Sequence, residues 1–470
     1  MDSHRAILDL DVHALGGQMR AHELSPVEVT EAYLTRIEAT DARLRAYITV
    51  TADVAREQAH AAEHEIAAGH WRGPFHGVPI ALKDLLYTKG IRTTAGSKIL
   101  SGLVPDFDAT VWTRLREAGA VLLGKLNLHE FAYGGRSANP HYGAVRNPYG
   151  FERIAGGSSG GSAAAIVARS AAATIGTDTM GSIRIPAAFC GCVGLKPTNS
   201  RVSRFGVFPL AYTLDHVGPI TRTVRDAALM LQVIAGHDPN DTSSSRRPVP
   251  DFTVGLEAGA SGMRVGIVRE LCSTLSPAVR GSFDKALGVL SSLGAQLEEV
   301  STPSLGYALD AALAILEGDA LDVHAHWLKT RGADYGDDVR ALASTAFLAP
   351  AAQYVRATRA RARVLADTLR TMARLDVLVA PTMMVTAPRI ADMMADLGGG
   401  VSRPVEAVLI PLTSPFDLTG QPVVAVPTAL AEDGLPASMQ VVGKPFDEGT
   451  ALRVAHAYEQ ARGLLPQPAL

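Results

Sequence analysis

The sequence predicts an α/β fold: one large domain, residues 1–470, built on a mixed β-sheet. Three observations carry this reading. The stretch "DATVWTRLREAGAVLLGKLNL", 108–128, reads as a helix, a turn at Gly119 and a strand, the repeating unit of such folds. The same pattern recurs at "RVGIVREL", 264–271, followed by the helical "PAVRGSFDKALGVLSSLGA" and then "QLEEV". The last quarter returns to apolar runs, "LDVLVAPTMM" and "PVVAVPTAL", which need neighbouring strands to pair with.

The elements follow in order. Residues 25–38, "SPVEVTEAYLTRIE", place Ser25 as an N-cap, Pro26 at the first helical position and Glu28 where it completes a capping box; Val29, Tyr33, Leu34 and Ile37 then recur at helical spacing. An alanine-rich helix covers about 51–68 and is broken by "GHWRGPFHG". "VPIALKDLL" is a buried strand end carrying two charges, Lys83 and Asp84. The most linker-like stretch is "GHDPNDTSSSRRPVPDF", 236–252. The expected organisation is N-terminal helices over 1–70, a core with the chemical motifs over 71–235, an excursion over 236–375 and a return to the core sheet over 376–470.

A chain of 470 residues with 47% hydrophobic and 19% charged side chains has the composition of a globular protein with a large core. Lysine and arginine number 44 against 47 acidic residues, for a net charge of -3, and neither sign forms a block. That balance argues against nucleic acid or an anionic membrane as the main partner. No apolar run reaches membrane-spanning length, and the N-terminus lacks a signal-peptide pattern. Three cysteines are too few for a disulfide framework, and a reducing cytoplasm fits them best. Cys190 and Cys192 form a C-x-C pair without two further ligands at zinc spacing. "HAAEH", 60–64, matches a metalloprotease pattern, but its polar, alanine-rich surroundings favour a solvated helix face. Neither a metal nor a cofactor is expected.

"GGSSGGS", 156–162, looks like a linker but runs straight into the buried-looking "AAAIVARSAAATIG". As a phosphate loop it fails, because Ser162 and Ala163 stand where the lysine and hydroxyl should be. There remains a serine pair flanked by glycines, a backbone that a substrate can approach closely. Lys83 precedes Ser158 by 75 residues, and Ser182, in "GTDTMGSIRIP", follows it by 24.

These three elements resemble the amidase signature family, whose catalytic lysine, bridging serine and nucleophilic serine lie in such motifs. "LHEFAYGGRSANPHYGAVRNP", "FCGCVGLKPT", "GVFPLAYTLDHVGPI", "FDLTGQP" and "LPASMQVVGKPFDE" are similar to family segments and stand in family order, from about residue 20 to 460. The resemblance implies a central twisted mixed β-sheet covered by helices on both faces. It also implies that Ser182 attacks, Ser158 relays the proton and neutral Lys83 accepts it and later returns it to the departing amine. For that, the lysine pKa must fall by about 3 units, worth ~4 kcal/mol of differential solvation. The Gly157–Ser158 peptide would be cis, with Ser159, the competing relay, supporting the loop by hydrogen bonds.

Backbone N–H groups of Thr179, Met180, Gly181 and Ser182 are the candidate oxyanion donors, braced by Asp178 and Arg184 as an ion pair. Met180 departs from the family's glycine in "TDTGGSIR" and puts the pocket's shape in question. Tyr133, Gly134 and Gly135 are candidate substrate contacts, and Met383 and Met384 are either pocket walls or core fillers. The implied substrate is a small-molecule amide, with aryl amides, carbamates and esters sharing the same addition step, and the chain is expected as a monomer or homodimer. "SPFDLTGQP" is more similar to stand-alone amidases than to the alternative, a glutamine-hydrolysing subunit of a tRNA-dependent amidotransferase. A non-catalytic binding homologue is disfavoured by the intact lysine and serines.

Overall fold

The computed structural model describes residues 2–470, with side chains from Arg5 onward. Eleven strands form the central sheet: β1 Tyr47–Val50, β2 Pro79–Lys83, β3 Val121–Leu126, β4 Ala173–Asp178, β5 Val193–Lys196, β6 His216–Thr221, β7 Arg264–Val268, β8 Gln296–Val300, β9 Val377–Pro381, β10 Val423–Leu430 and β11 Pro436–Val442. Their spatial order is β1-β3-β2-β4-β6-β5-β10-β11-β9-β7-β8. Parallel pairs (β2 with β3 and β4, β7 with β8 and β9) are joined through an antiparallel centre, so the sheet is mixed.

The strands from β2 to β6 and from β9 to β11 are buried along most of their length, which is why they read as continuous apolar runs rather than alternations. The segment 236–375, read as an excursion, returns β7 and β8 to one edge of the sheet before forming the helices Ala308–Arg331, Asp337–Thr345 and Ala351–Thr371. Its linker-like start is packed down: Asp238 accepts from Thr110 Oγ1 and Ser203 Oγ (both 2.5 Å), and Asp241 accepts from Arg204 N (2.8 Å). Polar, turn-rich composition there reflects carboxylates capping neighbouring loops rather than a free tether.

The first long helix spans Pro26–Leu44, with Ser25 Oγ accepting from Val27 N (3.0 Å) and Glu28 N (3.4 Å). Only half of the capping box forms among the described residues, since Ser25 N–H makes no bond to the Glu28 carboxylate; the Ser25 hydroxyl also donates to Glu63 on the helix Ala52–Ala67, so the cap ties the two helices together. No helix among the described residues is long and apolar enough to cross a membrane.

Candidate active site

Lys83 is the last residue of β2, and Thr177 and Asp178 end its parallel neighbour β4. Parallel strands bring their carboxyl ends to one edge, where loops and helix N-termini converge. The helix Gly160–Val167, joined to β4 by a short turn, starts at that edge, and "GGSSGG" is its entrance. Ser158, Ser159 and Ser162 of this run are fully buried, and the Gly157–Ser158 peptide is cis.

Lys83 Nζ lies 2.7 Å from Ser158 Oγ and 2.8 Å from Thr177 Oγ1, with no solvent exposure. Burial lowers its pKa from 10.5 to about 7, against the opposing pull of the Asp178 and Asp215 carboxylates. The plainer pairing with Asp84 does not occur: Asp84 accepts from Thr94 N (2.9 Å) and sits 3.4 Å from Lys125 Nζ. Ser159 Oγ donates to Thr177 O (3.2 Å) and its N–H donates to Ser182 O (3.2 Å), which staples the serine loop to β4 and to the following turn. Ser158 O accepts from His129 N and Ser137 Oγ (both 3.1 Å). A Cβ on Gly157 would stand 2.9 Å from the backbone at Gly135, Arg136 and Ser137, so the serine loop and the "FAYGGRS" loop are in direct backbone contact.

The turn after β4 carries Ser182. Gly181 has φ +123°, and a Cβ there would meet Thr413 Oγ1 at 2.3 Å, so glycine is required. Asp178 organises the turn by accepting from Gly181 N (2.5 Å) and Ile183 N (3.1 Å) and from Arg184 Nε (3.0 Å) and Nη2 (3.1 Å). Arg184, fully buried, also donates to Thr413 O (2.9 Å) and to Asp417. Burial works against ionisation of Asp178, but the Arg184 guanidinium overrides it and holds the carboxyl well below the usual range. Asp417 shares the same arginine without those backbone donors, and burial pushes its carboxyl well up.

Of the four expected oxyanion N–H groups, that of Gly181 is therefore committed to Asp178, which leaves those of Thr179, Met180 and Ser182 as candidates. The Ser182 and Ser158 hydroxyls are not hydrogen-bonded to each other among the described residues.

Ser182 opens on a cavity of about 150 Å³. Tyr133, Gly134, Gly135, Thr179 and Met180 line it, with Leu210, Leu313, Leu316, Leu342, Leu409 and Ile410 completing an apolar wall. Met180 thus places its thioether in the wall, as its departure from glycine suggested. Among the described residues Glu406 is the one charged group in the lining, and none is cationic. The adjacent Arg136 is held by Glu406 (3.4 Å) and by the carbonyls of Ile390 (2.6 Å) and Asp392 (2.9 Å). Met383 and Met384 are buried but do not line the cavity; they fill core behind β9. His60 and His64 lie on the exposed side of their helix.

Sequence reasoning missed Thr177, Thr413 and Asp417. Thr177 carried a signal: it stands inside "GTDTMGS", at the carboxyl end of a strand beside the lysine. Thr413 and Asp417 lie more than two hundred residues from the turn they brace, where no local pattern points to the contact.

The fold and this edge of the sheet define an amide-bond hydrolase. The amidase family model matches residues 28–452, and the chain belongs to that family: it is an enzyme acting on amide C–N bonds. Its relatives include a glutamyl-tRNA(Gln) amidotransferase subunit of Geobacter metallireducens, 43% identical over 97% of this chain and 98% of that one. Among solved structures it is similar to a chain from a vestigial complex described as revealing the evolutionary origins of an s-triazine catabolic enzyme, 35% identical with a TM-score of 0.93, covering 98% of this chain and 100% of that one. It is also similar to the peptide amidase of Stenotrophomonas maltophilia, 33% identical with a TM-score of 0.84, covering 98% of each.

Proposed function

We propose that this amidase works through an acyl-enzyme on Ser182, with Ser158 as proton relay and Lys83 as base. The observation that carries the reading is the fully buried Lys83–Ser158 contact at 2.7 Å, made by a lysine whose burial lets it be neutral near pH 7. Substrate binding turns the Ser182 hydroxyl toward Ser158, closing the relay. Ser182 Oγ then attacks the carbonyl carbon, its proton passes to Ser158 Oγ, and the Ser158 proton passes to Lys83. The electron pair released from the C=O bond rests on oxygen, facing the N–H groups of Thr179, Met180 and Ser182. On collapse the C–N bond breaks and the Lys83 proton returns through Ser158 to the leaving amine. Water repeats the cycle on the ester.

The cavity favours a free-standing enzyme for amides of uncharged, apolar acyl groups. Free glutamine brings an α-carboxylate and an α-ammonium group, and the carboxylate would meet no cation on the cavity wall while Glu406 stands at its rim. The second reading, a glutamine-hydrolysing subunit of a tRNA-dependent amidotransferase working with partner chains, is favoured by the 43% identity across nearly the whole chain to a subunit of such an amidotransferase.

One experiment separates them: the purified chain is offered benzamide, an anilide, a carbamate and glutamine, and the protein is weighed by mass spectrometry for an adduct on Ser182. A benzoyl-type adduct with no ammonia from glutamine supports the first reading, and glutaminase activity with a glutamyl adduct the second. If Ser182→Ala turns over as fast as wild type, the acyl-enzyme itself is excluded.

A further inference from the structure

A second cavity of about 120 Å³ lies beside the turn that carries Ser182, lined by Thr177, Thr179, Arg204, Leu210, Asp215 and His216 among others. It shares Ala132, Thr179 and Leu210 with the cavity at Ser182. Asp215 stands at the junction, just before β6. Its carboxylate accepts from Thr179 Oγ1 (2.6 Å), from Leu210 N (2.9 Å) and from Ala211 N (3.2 Å). Each carboxylate oxygen takes a backbone N–H, so the ionised form is the one that satisfies every partner, although burial pulls the other way. One group therefore holds both the oxyanion turn, through Thr179, and the apolar wall, through Leu210.

We propose that Asp215 is a positioning residue of the amidase site, fixing the Thr179–Ser182 turn through the Thr179 hydroxyl and the adjoining cavity wall through the N–H groups of Leu210 and Ala211. The inference rests on the reading of Lys83 as base and Ser182 as nucleophile. The titratable groups around it are Lys83 at the end of β2, Asp178 at the end of β4, Arg204 across the second cavity and, next in sequence, His216, which burial holds neutral. Asp178 and Asp215 both favour the ammonium form of Lys83 over the free amine, in opposition to burial, while Arg204 favours the ionised form of Asp215. Removing the Asp215 charge leaves burial less opposed, so the lysine loses its proton at lower pH.

The test compares Asp215→Asn, Thr179→Val and Thr179→Ser by kcat and by the pH profile of kcat/KM, on whichever amide the wild-type enzyme turns over. D215N and T179V are each expected to lower kcat by about 10²-fold, the scale of a misplaced reacting group, and D215N also to move the acid limb to lower pH. T179V is expected to leave the acid limb in place, because it removes a hydroxyl and no charge, and T179S to restore kcat. A D215N or a T179V enzyme with wild-type kcat, or a T179S enzyme no faster than T179V, overturns the inference. Should D215N not fold, the T179V and T179S pair decides it alone. The wild-type adduct on Ser182 and the Lys83→Ala profile are recorded in the same series. Their failure would remove the underlying reading, whereas wild-type kcat in D215N beside an intact adduct removes only the role of Asp215.

Discussion

Replacing Lys83 with methionine should destroy activity and, at neutral pH, strengthen the fold. Lys83 is fully buried, and its pKa falls from 10.5 to about 7. Between those values the unfolded chain binds a proton that the folded chain does not, so folding is penalised below pH 10.5 and stability rises with pH across that window. Worked through, the penalty is roughly 4 kcal/mol at pH 7 and about 1.4 kcal/mol near pH 9.5. Methionine has similar length and no charge to desolvate, but it forfeits the hydrogen bonds to Ser158 and Thr177, worth ~1 kcal/mol each.

K83M should therefore be about 2 kcal/mol more stable than wild type at pH 7, with that advantage falling by about 3 kcal/mol near pH 9.5. Lys125 and Lys196, also buried and lowered to about 8 and about 7, are present in both proteins and cancel in the difference. Denaturant titration of both proteins at the two pH values measures it, alongside amide hydrolysis, expected to drop by about 10³-fold. A mutant-minus-wild-type stability that is the same at both pH values would refute the claim that Lys83 is held neutral.

Arg184→Leu leaves Asp178 and Asp417 buried without their shared cation and should cost ~3–5 kcal/mol, read as a fall in denaturation midpoint; an unchanged midpoint would mean the pair does not brace the turn. Glu406 is largely exposed at the cavity rim, so Glu406→Gln should raise kcat/KM for an amide with an anionic acyl group roughly two- to fivefold relative to a neutral one. High salt should erase the difference, and a gain equal for both substrates would show that its charge does not select.

Much of this protein was legible in the chain alone. The helix at Pro26, the strand ending in Lys83 and the helix-to-strand unit around Gly119 follow from caps, apolar periodicity and glycine breaks, which are local and act within a few residues. Ser158 stood out because "GGSSGGS" makes a poor linker and a poor phosphate loop, and Lys83 and Ser182 joined it because the order and spacing of the three resemble a family. That the serine loop would be rigid could also be reasoned from what flanks it.

Other features depended on distance in space. Which N–H groups of the turn remain free for an oxyanion was decided by Asp178 claiming that of Gly181. Arg184 is bound by Asp417 and the Thr413 carbonyl, from a helix more than two hundred residues away, and Asp215 ties the turn to the wall of a cavity. The methionines after β9 point into core, while leucines of the 308–345 helices, chemically indistinguishable in sequence from any core leucine, line the cavity at Ser182. Sequence settled the chemical groups and the local backbone that presents them. Tertiary structure alone decided the direction in which their pKa values move and the cavity they face, because desolvation and charge pairing depend on neighbours that the chain brings together only on folding.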